Sequence, residues 1–399
     1  MGTAHARGHA TNVLLGDTAD WKQGRYPLLK KLRMMNFFHT HISPLVYDLI
    51  KETLDSTFIS EGKRVKQFEE ALESQLGLSN PVAVNSGTSA LHLALVLAGV
   101  GPGDEVILPA QTFVATGLVI LMQRATPVFA DIDPLTGNIS PESIKEKITD
   151  RTKAIIAVHW GGYPCDLDEI NAIANEHGLT VIEDAAHALG ATYKGRSIGS
   201  ISRFTAFSFQ AIKHLTTGDG GALCCPDCED AHQAFVRRWF GIDRAKSRPS
   251  ILGEREYDIP DIGYKFHMND LAASVGLGNL ADLPQRLLRR QQIGAFYRQQ
   301  LANVPGIQLL RMNDNRTHAY WLFTMLVERR ENFICNLAKQ GIPASVVHLR
   351  IDHNSVFGGL RLELTGQTEF NARQVAIPVH EGLSDADTEQ IVAAIQSGR

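Results

Sequence analysis

Short β-rich segments alternate with helical segments between residues 80 and 225, and this alternation is the strongest constraint on the fold. The clearest β-rich segments lie at 105–108, 127–130, 154–158 and 180–182. Strands separated by helices form mostly parallel sheets, because each helix carries the chain back across one face of the sheet. We therefore predict an α/β fold built on a doubly wound, mostly parallel sheet.

The rest of the chain supports a division into three parts. We predict an N-terminal arm at residues 1–40, a large domain at 41–285 and a smaller α+β domain at 286–399. A chain of 399 residues is long enough for two domains with separate cores. The elements predicted outside the alternating region are helices at 43–57, 63–76, 269–301 (with a break near Pro284) and 385–397, and strands near 319–326 and 344–347.

The net charge of the chain does not favour a nucleic-acid or membrane partner. A formal net charge of -4 gives no basis for binding nucleic acid or an anionic membrane. No apolar run is long enough to cross a bilayer, and residues 1–20 lack the apolar core of a signal peptide. We therefore expect a cytoplasmic protein with neither a nucleic-acid nor a membrane partner.

The five cysteines indicate reduced thiols, because their number is odd and no signal peptide precedes them. Cys225 and Cys228 have the C-x-x-C spacing of some zinc sites. A zinc site would need two further ligands, and no second Cys/His pair has matching spacing. We therefore predict no metal and interpret these cysteines as thiols at the end of a strand.

An aspartate and a lysine follow two of the predicted strands. Asp184 closes the apolar segment 181–184, and Lys213 lies after Phe207 and Phe209 in a turn that contains a serine. Taken singly, Asp184 could cap a helix and Lys213 could be a surface charge. Together, in this order, they match the needs of pyridoxal 5'-phosphate (PLP): a carboxylate for the pyridine nitrogen and an amine for the aldehyde.

A small-residue turn at Gly87, Thr88 and Ser89 connects a strand to a helix rich in Ala and Leu. The first N–H groups of such a helix have no partner within it and can bind a phosphate, helped by the two hydroxyls. Ser208, just before Lys213, could add another hydroxyl. The alternative is an ordinary helix N-cap without a ligand.

Three further residues could contact the ring of the cofactor. Phe113 follows a strand and could stack on the ring, although a core phenylalanine has the same pattern. Ala186 would present a small flat surface to the other ring face. His187 could bond to the phenolic oxygen of the cofactor, or it could simply be a packed histidine.

Taken together, these motifs resemble those of the DegT/DnrJ/StrS sugar aminotransferase family of PLP-dependent enzymes. The resemblance extends from about residue 40 to the C-terminus. The segments that carry the resemblance lie at 86–91, 112–113, 183–191, 207–213, 217–221, 261–270 and 377–385.

The resemblance implies PLP fold type I, with a mostly parallel seven-stranded sheet flanked by helices and a smaller α+β C-terminal domain. It also implies a homodimer whose active sites lie at the subunit interface. In this comparison Asp184 holds the pyridine nitrogen, Lys213 forms the Schiff base and Phe113 stacks on the ring. Lys265 stands where relatives often have an asparagine that reaches the phosphate of the neighbouring subunit. The residues implied as phosphate ligands are Gly87, Thr88, Ser89 and Ser208.

One segment departs from the family pattern. Relatives often carry prolines between two histidines near the sugar, whereas here His348 and His353 enclose Arg350 and Asp352 and no proline. We take His348, Arg350 and His353 as candidate sugar contacts, and the departure leaves the sugar open. Some relatives replace the lysine by histidine and act as dehydratases, which the presence of Lys213 disfavours.

The hypothesis from the sequence is an aminotransferase that moves an amino group from an amino acid, L-glutamate by resemblance, to a nucleotide-linked keto sugar. The cofactor alternates between PLP and pyridoxamine 5'-phosphate. The similarity of segment 183–188 to relatives that aminate C4 favours a 4-keto-6-deoxy hexose. The alternatives are a 3-keto sugar or a keto-cyclitol as substrate, a PLP-dependent dehydratase, and a non-catalytic regulatory protein. The candidate contacts for the diphosphate are Lys63, Arg64, Arg237, Arg238 and Lys265.

Overall fold

The structure is a computed structural model that describes residues 35–398. Its helices are α1 Leu45–Asp55, α2 Lys63–Leu76, α3 Gly87–Leu97, α4 Val114–Met122, α5 Pro141–Lys147, α6 Leu167–His177, α7 Cys228–Arg237, α8 Asp270–Leu280, α9 Leu283–Leu301, α10 Arg330–Lys339, α11 Thr365–Arg373 and α12 Asp385–Ser397. Its strands are β1 Pro81–Val84, β2 Glu105–Pro109, β3 Thr126–Ala130, β4 Thr152–Val158, β5 Thr180–Asp184, β6 Thr192–Tyr193, β7 Arg196–Ser197, β8 Phe204–Ser208, β9 Gly221–Cys224, β10 Arg248–Pro249, β11 Arg255–Glu256, β12 Ile307–Leu309, β13 Phe323–Val327 and β14 Gln374–Ile377.

A seven-stranded sheet forms the centre of the larger part of the molecule. Its strand order is β1-β9-β8-β5-β4-β2-β3, and β9 alone runs antiparallel to its neighbours in this sheet. Alternate residues of β4 pack into two different clusters, Ile155 on one face and Ile156 on the other. A strand that is buried on both faces needs a continuous apolar run, which is why the sequence pattern predicted these strands well.

The long helical region predicted at 269–301 forms two helices, α8 and α9. They are separated at Ala281 and Asp282, and Pro284 lies in the first turn of α9. Proline has no backbone N–H, so it is tolerated in the first turn of a helix and disfavoured farther along. The predicted break near Pro284 is therefore observed, just before the proline.

The smaller sheet has the antiparallel order β12-β13-β14 and packs against apolar residues of α9, α10 and α12. The predicted strand near 319–326 corresponds to β13. The strand predicted at 344–347 is wrong, since this segment makes a single bridge between Ser345 and Ala376. The third strand is instead β14, which is buried throughout but offers only a short apolar run.

Some predictions about the organisation of the chain stay predictions. The N-terminal arm lies almost entirely in residues outside the described part of the chain, and the boundary between 41–285 and 286–399 is a matter of interpretation. Within residues 35–398, no helix is both long enough and apolar enough to cross a membrane.

Candidate active site

The carboxyl ends of β1, β2, β5 and β8 lie along one edge of the large sheet, where ligands of open α/β sheets bind. The residues that follow them surround a cavity of about 390 Å³. The predicted site residues that line this cavity are Gly87, Thr88, Phe113, Asp184, Ala186, His187, Ser208, Lys213 and His348.

The N-terminus of α3 forms one end of this cavity. Ser86 caps the helix by accepting a hydrogen bond from the N–H of Ser89 at 3.0 Å. The hydroxyl of Ser89 donates to Asn85 at 2.6 Å, so it is engaged within the turn and does not line the cavity. Gly87 and Thr88 do line it, beside helix N–H groups that point toward any bound anion.

Gly87 lies against the end of β8. A Cβ atom added to Gly87 would lie 2.9 Å from Cβ and 3.2 Å from Cα of Ser208. Any larger residue would therefore push these two segments apart. The absence of a side chain lets the helix N-terminus and Ser208 lie close together at the same end of the cavity.

Asp184 is the last residue of β5 and is only 6% exposed. Its carboxylate accepts a hydrogen bond from the hydroxyl of Thr116 at 2.7 Å and one from the N–H of Ala186 at 3.2 Å. Thr112 and Thr116 are 2.7 Å apart, and since Thr116 donates to Asp184, Thr112 donates to Thr116. This relay orients the buried carboxylate toward the cavity.

Lys213 lies half-buried in the turn that follows β8, where it lines the cavity. Burial lowers its pKa to about 7, although the nearby charge of Asp184 acts in the opposite direction. Its Nζ atom lies 3.7 Å from the ring centroid of Trp321. A lysine with such a pKa has a substantial population of free amine near neutral pH, which suits a nucleophile and a proton carrier.

His187 stacks on Trp321, with the ring centroids 3.8 Å apart and the planes inclined by 14°. Burial, with a contribution from the Lys213 charge, lowers the pKa of His187 well below its usual value. The imidazole is therefore neutral. Its Nδ1 atom is buried without a hydrogen-bond partner among the described residues, which leaves a polar atom for a ligand to satisfy.

Phe113 lies between β2 and α4 and is 52% exposed, so it is not a core residue. Its ring centroid is 5.1 Å from that of His348. Burial lowers the pKa of His348 to about 4, with the Lys213 charge adding to this effect. The cavity thus has an aromatic wall at Phe113 and a neutral imidazole beside it.

The structure does not bring two of the three predicted sugar contacts to the cavity. Arg350 is 5% exposed and forms two hydrogen bonds with Asp352, of 2.7 and 2.6 Å. Nδ1 of His353 is bonded to the carbonyl of Arg350. Both side chains are therefore engaged with the segment that carries His348.

The predicted basic residues lie outside the cavity of their own chain. Nζ of Lys265 is 3.9 Å from the ring centroid of Trp239. Arg238 is almost fully buried and pairs with Glu61 and Glu69. Arg64 and Arg237 form ion pairs with Glu52 and Asp261, and Lys63 begins α2.

Sequence reasoning gave no role to Trp321 and Thr116, which the structure places at the site. Thr116 lies three positions after the predicted site residue Phe113, so a hydroxyl one helical turn after Thr112 was an available signal. Trp321 lies far along the chain, just before β13, and nothing in its local sequence points to the cavity.

The cysteines show no sign of a metal site. All five are free, and Cys224 and Cys225 are buried, which raises the pKa of both thiols. Within the described part of the chain, no group of three or more His, Cys, Asp or Glu side chains could hold a metal ion.

The mostly parallel sheet, the half-buried lysine and the aspartate at the carboxyl edge are those of an α/β enzyme of PLP fold type I. The sequence profile of the DegT/DnrJ/EryC1/StrS aminotransferase family matches residues 42–396. GDP-perosamine synthase from Caulobacter vibrioides is 35% identical over 87% of this chain and 94% of its own length.

Two solved structures are similar along nearly their whole length. The sugar aminotransferase CalS13 from Micromonospora echinospora has a TM-score of 0.88 and 35% identity, covering 92% of this chain and 100% of its own. The PLP form of Spr1654 from Streptococcus pneumoniae has a TM-score of 0.84 and 30% identity, covering 91% and 98%. The chain therefore belongs to the DegT/DnrJ/EryC1/StrS aminotransferase family, a family of PLP-dependent sugar aminotransferases. The predicted family, enzyme class, fold class and cofactor are confirmed.

Three features of the cavity fit PLP. The start of α3 and Ser208, brought together at Gly87, offer N–H and hydroxyl groups to a phosphate. The buried Nδ1 of His187 lacks a partner that an oxygen of the cofactor would supply. Asp184 offers an oriented carboxylate, and Lys213 an amine, to the same space.

Proposed function

We propose that this aminotransferase transfers an amino group from L-glutamate to a keto sugar carried by a nucleotide, and that the sugar is a 4-keto-6-deoxy hexose. The name of the relative GDP-perosamine synthase supports a sugar linked to a nucleoside diphosphate. The similarity of segment 183–188 to relatives that aminate C4 supports the position. The observation that carries the proposal is that Lys213 and Asp184 line one cavity.

We propose that the chain holds the cofactor by both of its ends. The N–H groups at the start of α3, with Gly87, Thr88 and Ser208, would hold the phosphate. Ser89 would contribute indirectly, because the hydrogen bond from its N–H to Ser86 fixes the start of the helix. The residues that would contact the ring line the cavity: Phe113 and Ala186 for its faces, His187 for its phenolic oxygen and Asp184 for its nitrogen.

The bound cofactor supplies an electron-withdrawing ring that stabilises negative charge at the substrate carbon. Asp184, fixed by Thr116, keeps a proton on the ring nitrogen and so maintains this property. Nζ of Lys213 would attach the cofactor and, as a free amine in the cavity, would move the proton of the substrate. Its pKa of about 7 suits both removal and return of a proton.

We propose that His348 contacts the sugar, since its neutral imidazole lines the cavity beside Phe113. Arg350 and His353 contribute to the same subsite indirectly. Their hydrogen bonds, from Arg350 to Asp352 and between His353 and the carbonyl of Arg350, hold the segment that carries His348 in place. We also propose a homodimer with shared active sites. The domain boundary at residue 285 and the cytoplasmic location stay predictions.

Lys265 is proposed to reach the phosphate in the neighbouring subunit. This can be tested by mixing subunits that carry Lys213→Ala with subunits that carry Lys265→Ala. In an equal mixture, half of the randomly formed dimers contain one subunit of each kind. If Lys265 acts across the interface, each mixed dimer has one intact site and one inactive site. About a quarter of the wild-type activity should therefore return. Action within its own chain predicts no recovery above the level of Lys265→Ala alone.

The central experiment is the absorption spectrum of the PLP-loaded enzyme, followed by addition of L-glutamate. We expect a visible band from the lysine-bound cofactor, its loss on addition of glutamate, and its return with a 4-keto-6-deoxy sugar nucleotide. Lys213→Ala should lack the band and the activity while keeping its circular dichroism spectrum.

Each failure has a separate meaning. A band that glutamate leaves unchanged would contradict the proposed donor and direct attention to the dehydratase. A return of the band with 3-keto sugars or keto-cyclitols alone would contradict the proposed substrate. No visible band after addition of PLP would contradict the role of Lys213.

A further inference from the structure

Trp321 lies against the reactive end of Lys213, and the proposed function leaves it without a role. The indole is 1% exposed, and its ring centroid lies 3.7 Å from Nζ of Lys213. Among the described residues, this Nζ forms no hydrogen bond or salt bridge. The ring face of Trp321 is therefore the specific partner that the structure provides for the amine.

The indole is held firmly on the Lys213 side. Its Nε1–H donates to the carbonyl of Ile212, the residue before Lys213, at 3.0 Å. This bond ties the ring to the turn that carries the lysine. His187 stacks on the indole at 3.8 Å, and Phe38 stacks on it at 5.3 Å with an angle of 22°. The ring consequently has little freedom to move away from Nζ.

The backbone around Trp321 is equally constrained. The N–H groups of Ala319 and Leu322 donate to Gly162 and Gly161 at 2.9 and 3.1 Å. The carbonyl of Tyr320 accepts a hydrogen bond from Arg290 at 3.2 Å. Trp321 is thus presented from a constrained segment just before β13, which is also joined to the turn that carries Lys213 by the hydrogen bond of 2.9 Å between His214 and the carbonyl of Ala319.

We propose that Trp321 is a positioning residue, whose ring face holds the charged amine of Lys213 in the cavity whenever that amine is free of the cofactor. This inference rests on the proposed function, in which Lys213 is released during each half-reaction and must return a proton to a defined place. A flexible lysine would otherwise adopt many conformations, and the ring face restricts them while favouring the ammonium form.

Several groups besides the indole influence the charge of Lys213. Asp184 on β5 favours the ammonium form, and burial disfavours it. His187, His214 and His348 also lie near enough for the Lys213 charge to lower their pKa values, and Asp219 lines the same cavity. A test of Trp321 must therefore leave these groups in place and change the ring alone.

The experiment measures, by mass spectrometry, how fast Lys213 is acylated as a function of pH in the full-length cofactor-free enzyme. Trp321→Phe and Trp321→Leu are compared, because both lose the bond to Ile212 and some volume but only Phe keeps an aromatic face. The quantity compared is the pH at which the acylation rate of Lys213 is half of its maximum. We expect this midpoint to fall by about one pH unit in Trp321→Leu. In Trp321→Phe it should lie between the values of Trp321→Leu and the wild type.

Trp160→Leu is the matched control, since Trp160 is also 1% exposed and lies 5.9 Å from His187. Its midpoint should equal that of the wild type. Identical midpoints for the Phe and Leu variants of Trp321 would overturn the proposal. Borohydride reduction of the PLP-loaded enzyme distinguishes a failure of the proposed function from a failure of the role of Trp321. Attachment of the cofactor to a residue other than Lys213 would overturn the proposed function. Attachment to Lys213 together with identical midpoints would overturn the role of Trp321 alone.

Discussion

The hydroxyl of Thr116 donates a hydrogen bond of 2.7 Å to the carboxylate of Asp184, and the N–H of Ala186 donates a second one of 3.2 Å. The carboxylate is thus bound on its protein side and directed toward the cavity. A hydrogen bond to a buried charged group contributes roughly 1.5–3 kcal/mol. The contact therefore matters for the orientation of the group that we assign to the ring nitrogen.

Thr116→Val should lower kcat/KM by about tenfold, because the carboxylate loses one of its two donors and becomes less well oriented. Asp184→Asn should lower it by more than about a hundredfold, because the ring nitrogen loses its anionic partner. Both values come from rates of the half-reaction with L-glutamate. Thr205→Val is the control, since the buried hydroxyl of Thr205 has no partner among the described residues. Equal activities of the Thr116 and Thr205 variants would refute the role of this bond.

The pKa of Lys213 predicts how the stability of the cofactor-free enzyme varies with pH. Its pKa is about 7 in the folded state, against an ordinary value of 10.5. The unfolded chain therefore binds more protons between these two pH values, so the burial of Lys213 becomes less unfavourable as the pH rises from 7.

Lys213→Met should be more stable than the wild type at pH 6, and this advantage should shrink by roughly 2–3 kcal/mol at pH 9, at about 1.4 kcal/mol per pH unit above 7. Urea unfolding at the two pH values measures the difference. Lys153→Met, which changes an exposed lysine, should show no such change. A stability difference that is the same at both pH values would contradict the assignment of the shifted pKa to Lys213.

Gly87→Ala should weaken PLP binding at least about tenfold while the enzyme stays folded, because the new Cβ atom would lie 2.9 Å from Cβ of Ser208 and distort the proposed phosphate site. The dissociation constant follows from titration of the visible band. Gly101→Ala is a matched control, since its Cβ atom would have no neighbour within 4 Å. Normal PLP affinity of the Gly87 variant would place the phosphate elsewhere.

Asp352→Ala should destabilise the enzyme by about 3–5 kcal/mol, because it leaves the guanidinium of Arg350 buried without its carboxylate partner. Chemical denaturation gives the free energy of unfolding. Asp230→Ala removes a similar two-point contact from the more exposed Arg203 and should lower stability by about 1 kcal/mol or less. If the two losses are equal, the buried pair does not hold the segment after His348 in the way we infer.

Local signals allowed much of the fold to be predicted. The predicted bounds of α2 and α12 agree with the structure, because Gly77 ends the first helix in a left-handed conformation and Ser384 begins the second with a capping box. The strand predicted at 344–347 failed because a short apolar run does not distinguish a strand from a buried loop, and the pairing partner of β13 is chosen by tertiary contacts.

The sequence by itself determined the alternating α/β pattern and the positions of Asp184, Lys213 and the glycine-containing turn at Gly87, because strand ends and helix starts are encoded by neighbouring residues. Tertiary structure alone decided which distant side chains meet them. Thr116 reaches Asp184, and Trp321 reaches Lys213, only because separate elements pack around one sheet edge. The same packing engages Arg350 with Asp352 and keeps its side chain from the cavity, a choice that depends on burial and pairing of charges rather than on any local pattern.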